Sequence, residues 1–249
     1  MRFFIYFQYN GANYHGWQRQ PNGISVQEAL EDAMSIIMRT PIALTGAGRT
    51  DAGVHARLMT AHFDTDATFD AENIVRRLND FLPADISIFK IEKVADDLHA
   101  RFDALSRTYE YHVHTYKNAF NNTLSLQVPA NIRFDLMNEA AKTLFDYIDF
   151  TSFSKLHTDV KTNNCTITHA EWTQVDENQW IFTITANRFL RNMVRAIVGT
   201  LMEVGREKLT IEGFRQVIEA KNRCSAGHSV PACGLYFIEA EYPENILNI

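Results

Sequence analysis

Gly46-Ala47-Gly48-Arg49-Thr50-Asp51-Ala52-Gly53-Val54-His55-Ala56 is the passage of this chain best suited to chemistry. Glycines and alanines surround one arginine, one aspartate and one histidine. The backbone can turn tightly and approach a ligand, and few side chains stand in the way. A carboxylate with a reference pKa of about 3.9 is ionised near neutrality and can act as a nucleophile or a base. Two other chemistries fit the same residues. Asp51 could simply cap a backbone amide in a hairpin turn with Arg49 paired to it. Asp51 and His55 could also work as the acid and base of a hydrolase, which predicts a cleaved product.

Further along, Tyr109 lies in an alternating run, and Arg188, Arg191 and Arg195 flank an apolar helix pattern. Tyr109 offers a flat face and a hydroxyl, but it also suits a half-buried strand. Arg195 could equally lie on a solvated helix face. His112 and His114 alternate along an apparent strand without the Cys, His or carboxylate support of a metal site, so no metal is expected. Cys165, Cys224 and Cys233 lack the paired spacing of disulfides or zinc knuckles and are read as reduced thiols.

The elements that would position these residues fall into two halves. In the first, Arg2 to Tyr9 predicts a strand ended by the turn signal Asn10-Gly11. Ser25 and Glu28 form a capping box ahead of a helix carrying Val26, Ala29, Leu30, Ala33 and Ile37. Ile42 to Thr45 and Arg57 to Thr65 read as strands on either side of the glycine-rich turn. Asp70 starts a second helix and Ile86 to Val94 a last strand. The order is βαββαβ, the split βαβ of ferredoxin-like domains.

The second half repeats it. Ser106 to Thr115 is a strand, Asp135 caps a helix, and Ile167 to Val175 with Trp180 to Ala186 forms a hairpin. Leu190 to Val204 is the strongest helix pattern, with Leu190, Met193, Val194, Ile197, Val198, Leu201 and Met202 on one stripe. A short helix and a strand from Leu235 to Glu241 complete the repeat. The expectation is an α+β protein of two ferredoxin-like, RRM-like halves, residues 1–104 and 105–249, with mostly antiparallel sheets flanking a central cleft.

A chain of 249 residues, 46% hydrophobic, has room for one or two domains. The apolar stretch Phe3 to Phe7 is far shorter than the roughly 20 residues that span a bilayer. No membrane segment or secretory signal is expected, and the cytoplasm is the expected compartment. A formal charge of −6 argues against a uniformly basic surface. Yet 16 of the 24 basic residues are arginines, the residue suited to planar phosphate and base contacts, which leans toward RNA in a local basic cleft. A catalytically silent pair of RNA-binding sheets, presenting Tyr6, Tyr9 and Tyr111, is the main alternative to an enzyme. The chain lacks the RNP1 pattern such modules carry.

Gly48-Arg49-Thr50-Asp51-Ala52-Gly53-Val54-His55-Ala56 resembles the catalytic motif of the tRNA pseudouridine synthase A family. The resemblance runs the full length of the chain. Tyr14-His15-Gly16-Trp17-Gln18-Arg19-Gln20, Val26-Gln27-Glu28, His99-Ala100-Arg101-Phe102, Ser106-Arg107-Thr108-Tyr109, Asp149 to Phe153, Phe189 to Arg195 and Pro231 to Leu235 follow in family order. Phe145-Asp146-Tyr147-Ile148 lacks a glycine-containing turn found in many members.

The resemblance implies a pseudouridine synthase fold and isomerisation of uridine to pseudouridine at positions 38, 39 and 40 of tRNA, without a cofactor, by a homodimer. It further implies that Asp51 is the nucleophile, Arg195 its ion-pair partner, and Tyr109 the stacking residue and a candidate general base. Arg49 would support the flipped base, and His55 would order the loop.

Overall fold

The computed structural model describes residues 1–155 and 162–243. The chain forms two compact units, residues 1–106 with 236–249 and residues 107–235.

The first unit is built on β1 (Arg2–Tyr9), which lies between β3 (His55–Asp64) and β4 (Ile86–Val94), antiparallel to both. β2 (Thr45–Gly46) pairs with β3, giving the order β4-β1-β3-β2 of a split βαβ unit. α1 (Val26–Met38) and α2 (Ala71–Phe81) are the two crossovers. Both start where the sequence places their caps. The Ser25 hydroxyl accepts from the Glu28 amide at 3.2 Å, and the Asp70 carboxylate accepts from the Asn73 amide at 3.2 Å. α2 stops at an extended Leu82, the conformation a following proline imposes.

Both pleats of β1 are covered. Ile5 and Phe7 are buried on one, and on the other Phe4 packs with Val94, Leu98, Ala100, Ala104 and Tyr242.

β2 is shorter than the run Ile42 to Thr45 predicts. Ile42 and Leu44 are buried, but the Leu44 amide donates to Glu31 Oε1 and its carbonyl accepts from Gln27 Nε2, both at 2.9 Å. Side chains of α1 supply the partners that a strand neighbour would otherwise provide. β9 (Leu235–Glu241), expected to finish the second half, runs parallel to β3 through His55–Tyr236 and Ala56–Phe237.

In the second unit β8 (Gln179–Ala186) lies antiparallel between β5 (Ser106–His114) and β7 (Ile167–Asp176), and β6 (Leu126–Gln127) joins β5 in parallel. α3 (Phe134–Lys142) packs on β7. Phe134 stacks on Trp180 at 4.1 Å and meets buried Trp172 edge-on. α4 (Met193–Gly205) and α5 (Ile211–Glu219) complete the unit. The glycine-free segment before Asp149 forms a 3-10 turn, Thr143–Asp146, whose Asp146 pairs with Arg215 of α5 at 2.6 Å.

Two helix starts differ from expectation. Asp135 is not a cap: α3 begins at Phe134, because the Arg133 amide is held by the Gly205 carbonyl at 2.9 Å. Asp135 instead pairs with the Arg133 guanidinium. α4 begins at Met193, not Leu190. Asn192 sits at φ 67°, outside any right-handed helix, so Leu190 is buried ahead of the helix and Arg188 and Arg191 lie off it.

One buried titratable group in the first unit links the fold to pH. His62 of β3 accepts from the Ala100 amide through Nδ1 at 3.1 Å and meets His99 edge-on. Burial, with help from Arg2 and His99 and against the pull of Asp64, pushes its pKa from 6.5 down to about 4. The unfolded chain therefore binds a proton below pH 6.5 that the folded chain refuses until about pH 4, so stability declines as pH falls through that window. Thermal melts between pH 7 and pH 4 should show this decline, and His62→Gln should make it shallower. An unchanged slope in His62→Gln would rule out this histidine as the cause.

Candidate active site

The segment 47–54 leaves β2 and enters β3, and its conformation is fixed from the side by residues 9–17. The Trp17 amide donates to the Thr50 carbonyl at 3.2 Å, and the Gly53 amide donates to the Tyr14 carbonyl at 3.3 Å. Thr50 is buried, and its hydroxyl lies 2.9 Å from that of Tyr9 at the end of β1. The Val54 amide closes a turn onto the Asp51 carbonyl at 3.2 Å. Asp51 is thus a half-buried carboxylate between two anchored neighbours, Thr50 and Gly53. Arg49, just before it, is exposed.

Two glycines make the approach possible. Gly16 has φ +88°, and a Cβ there would lie 2.4 Å from the Thr50 carbonyl oxygen. A Cβ on Gly11 would lie 1.9 Å from the Val54 carbonyl oxygen. Beneath them Trp17 is buried and stacks on Phe7 at 5.4 Å.

His55 is 1% exposed. Its Nδ1 accepts from the Gly11 amide at 3.1 Å, and its ring stacks on Tyr236 at 4.6 Å. A histidine so enclosed and so bonded suits holding the loop to the first turn of the chain, and it is poorly placed for the acid and base work of a hydrolase.

Tyr109 stands on β5 opposite Ile184 of β8 and is 8% exposed, with the edge of its ring set against Phe189 at 5.1 Å and 83°. Arg195 lies in the first turn of α4, half-buried. Its Nε donates to the Val230 carbonyl at 2.7 Å, and the Val230 amide returns a bond to the Arg195 carbonyl at 3.1 Å. A cation in the first turn of a helix opposes the dipole, and the first turn of α4 itself contains no acidic residue. Guanidinium and helix terminus together make this a place for an anion.

Of the three tyrosines offered as base-stacking faces, Tyr6 is half-buried and the other two are buried. Tyr9 is 3% exposed, and Tyr111 is fully buried with its hydroxyl donated to the Pro231 carbonyl. Burial also pushes the Tyr111 pKa far up. Among the described residues no group of three His, Cys, Asp or Glu could hold a metal ion. His112 pairs with Glu110 at 2.8 Å and His114 with the Ser125 hydroxyl at 3.0 Å.

The family model described as tRNA pseudouridine synthase matches residues 5–103 and 140–243. The chain belongs to the tRNA pseudouridine synthase family. It is 59% identical to tRNA pseudouridine synthase A of Parabacteroides distasonis, covering 100% of this chain and 98% of that protein. It is 58% identical to the namesake of Bacteroides thetaiotaomicron, over 99% and 93% of the two chains. It is 40% identical to that of Clostridium acetobutylicum, over 94% and 97%.

Sequence reasoning about this synthase singled out the loop but missed what holds it. The bonds from Tyr9, Tyr14 and Trp17 join residues that periodicity treats as a strand end and a linker. The one available signal was the glycine at 16 between aromatic residues. Gly16→Ala is expected to displace the Thr50 carbonyl and lower single-turnover modification on the order of 100-fold, with a reduced melting temperature. Retention of the wild-type rate in that variant would show that the loop does not depend on this close approach.

Proposed function

We propose that this tRNA pseudouridine synthase isomerises uridine to pseudouridine at positions 38, 39 and 40 of the anticodon stem-loop, with Asp51 as the nucleophile. The observation that supports it most is the anchoring of the loop on both sides of that one half-buried carboxylate. A reacting group carried on a fixed backbone supplies part of the orientation a bimolecular step lacks.

The reaction breaks the bond from ribose C1′ to N1, turns the base and joins C1′ to C5. The C5 proton leaves and N1 acquires one, so no oxidant, energy source or cofactor is consumed. Asp51 attacks or abstracts, Arg195 is assigned as its ion-pair partner, and Tyr109 stacks on the base, with its hydroxyl as the candidate general base. With a reference pKa of about 10, that hydroxyl is a weak base, and stacking is its principal role.

A target within a stem-loop must first leave the stack, at a cost of a few kcal/mol. Exposed Arg49 is the residue assigned to the gap, and His55 orders the loop. Modification of three successive positions favours recognition of RNA shape over base sequence. The working form is proposed to be a homodimer acting in the cytoplasm. Among the described residues no helix is long and apolar enough to cross a membrane.

Purified protein incubated with unmodified tRNA, without cofactors, should give carbodiimide-mapped pseudouridine at positions 38 to 40. Asp51→Ala should give none while still binding tRNA within about threefold. Arg195→Ala should slow single turnover at equal RNA occupancy. Pseudouridine formed by Asp51→Ala would remove it as the nucleophile, and a cleaved product would favour hydrolysis.

A further inference from the structure

Ser229 is distant from Arg195 in sequence, yet the loop that carries it fixes where the Arg195 guanidinium can lie. Residues 226–230 run along the first turns of α4 at unusually close range: a Cβ on Gly199 would lie 1.9 Å from the His228 carbonyl oxygen. The Gly227 amide donates to the Thr200 hydroxyl at 3.0 Å, and Val230 exchanges two bonds with Arg195. Because Nε is taken by the Val230 carbonyl, a carboxylate served by Arg195 is met by its Nη atoms.

Ser229 is the node of that loop. Its hydroxyl oxygen accepts from Asn192 Nδ2 at 2.6 Å and from Arg223 Nη2 at 2.9 Å. Arg223 also donates through Nη1 to the Gly227 carbonyl at 3.2 Å. Asn192 precedes α4 in a left-handed conformation at φ 67°, and its side chain does not cap the helix as an asparagine there usually would. Its amide is given to Ser229 instead. A strained backbone and a forgone cap, both directed at one hydroxyl next to the Val230 carbonyl, are more than closing a loop requires.

We infer that Ser229 is a positioning residue: bonded by Asn192 and Arg223, it holds the Val230 carbonyl where it orients the Arg195 guanidinium for the reaction. The inference rests on the proposed role of Arg195 as the partner of the nucleophile. Ser229→Ala removes the acceptor, and Asn192→Gly removes one donor while keeping a residue at ease at positive φ. Ser229→Thr keeps the hydroxyl.

The test measures single-turnover pseudouridine formation on an unmodified tRNA transcript with saturating enzyme, together with the tRNA Kd and a thermal melt of each variant. Ser229→Ala and Asn192→Gly should each slow the step by about tenfold with Kd unchanged within about twofold, and Ser229→Thr should return to within about twofold of wild type. Adding Ser229→Ala to Arg195→Ala should slow the reaction no further.

Wild-type rates in both Ser229→Ala and Asn192→Gly, with Arg195→Ala slow, would overturn the inference alone. So would loss of tRNA affinity in place of rate, or an equal defect in Ser229→Thr. A wild-type rate in Arg195→Ala itself would overturn the role given to Arg195, whatever Ser229 does.

Discussion

The hydrogen bonds that run from Trp17 to the Thr50 carbonyl and from Gly53 to the Tyr14 carbonyl hold the loop that carries Asp51, the proposed nucleophile. A segment of glycines and alanines has little side-chain surface to bury and loses much conformational entropy when it is ordered. It cannot fix its own shape. The neighbouring segment does so, through backbone groups that glycines at 11 and 16 let come close, over a floor of Trp17 and Phe7. The burial of His55 and the Tyr9–Thr50 hydroxyl pair extend the same clamp to both ends of the loop.

Arg195 is fixed in a comparable way in the second unit, by a main-chain carbonyl supplied from a loop remote in sequence. In each unit, backbone that arrives from elsewhere fixes the segment carrying a residue proposed for the reaction, and glycine at the point of approach makes room for it: Gly16 at Thr50, Gly199 at His228. Rigid scaffolding beneath a small, polar, accessible group is the arrangement that catalysis by orientation requires.

The helices and most strands were legible in the sequence because their signals are local. Ser25 and Asp70 cap where their side chains can reach the next turn, and the stripe from Met193 to Met202 is buried as its spacing requires. The errors lie where a partner from elsewhere intervenes. Leu44 is satisfied by Glu31 and Gln27 in place of a strand, the bond from Arg133 to Gly205 moves the start of α3, and the left-handed Asn192 delays α4.

What the sequence determined by itself was most of the order of elements, the two apolar repeats and the motif around Asp51 that carries the family resemblance. Composition and periodicity act over a turn of helix or a strand's length, and a motif is a string of neighbours. Tertiary structure alone decided that His55 is buried with its Nδ1 on the Gly11 amide, that Tyr9 and Tyr111 are not base-stacking faces, and that β9 lies along β3. Those outcomes rest on groups 40 to 180 positions apart meeting within hydrogen-bond or van der Waals reach, as Gly11 meets His55 and Tyr236 meets His55. No spacing rule encodes such meetings, because only the packed core brings those backbones together.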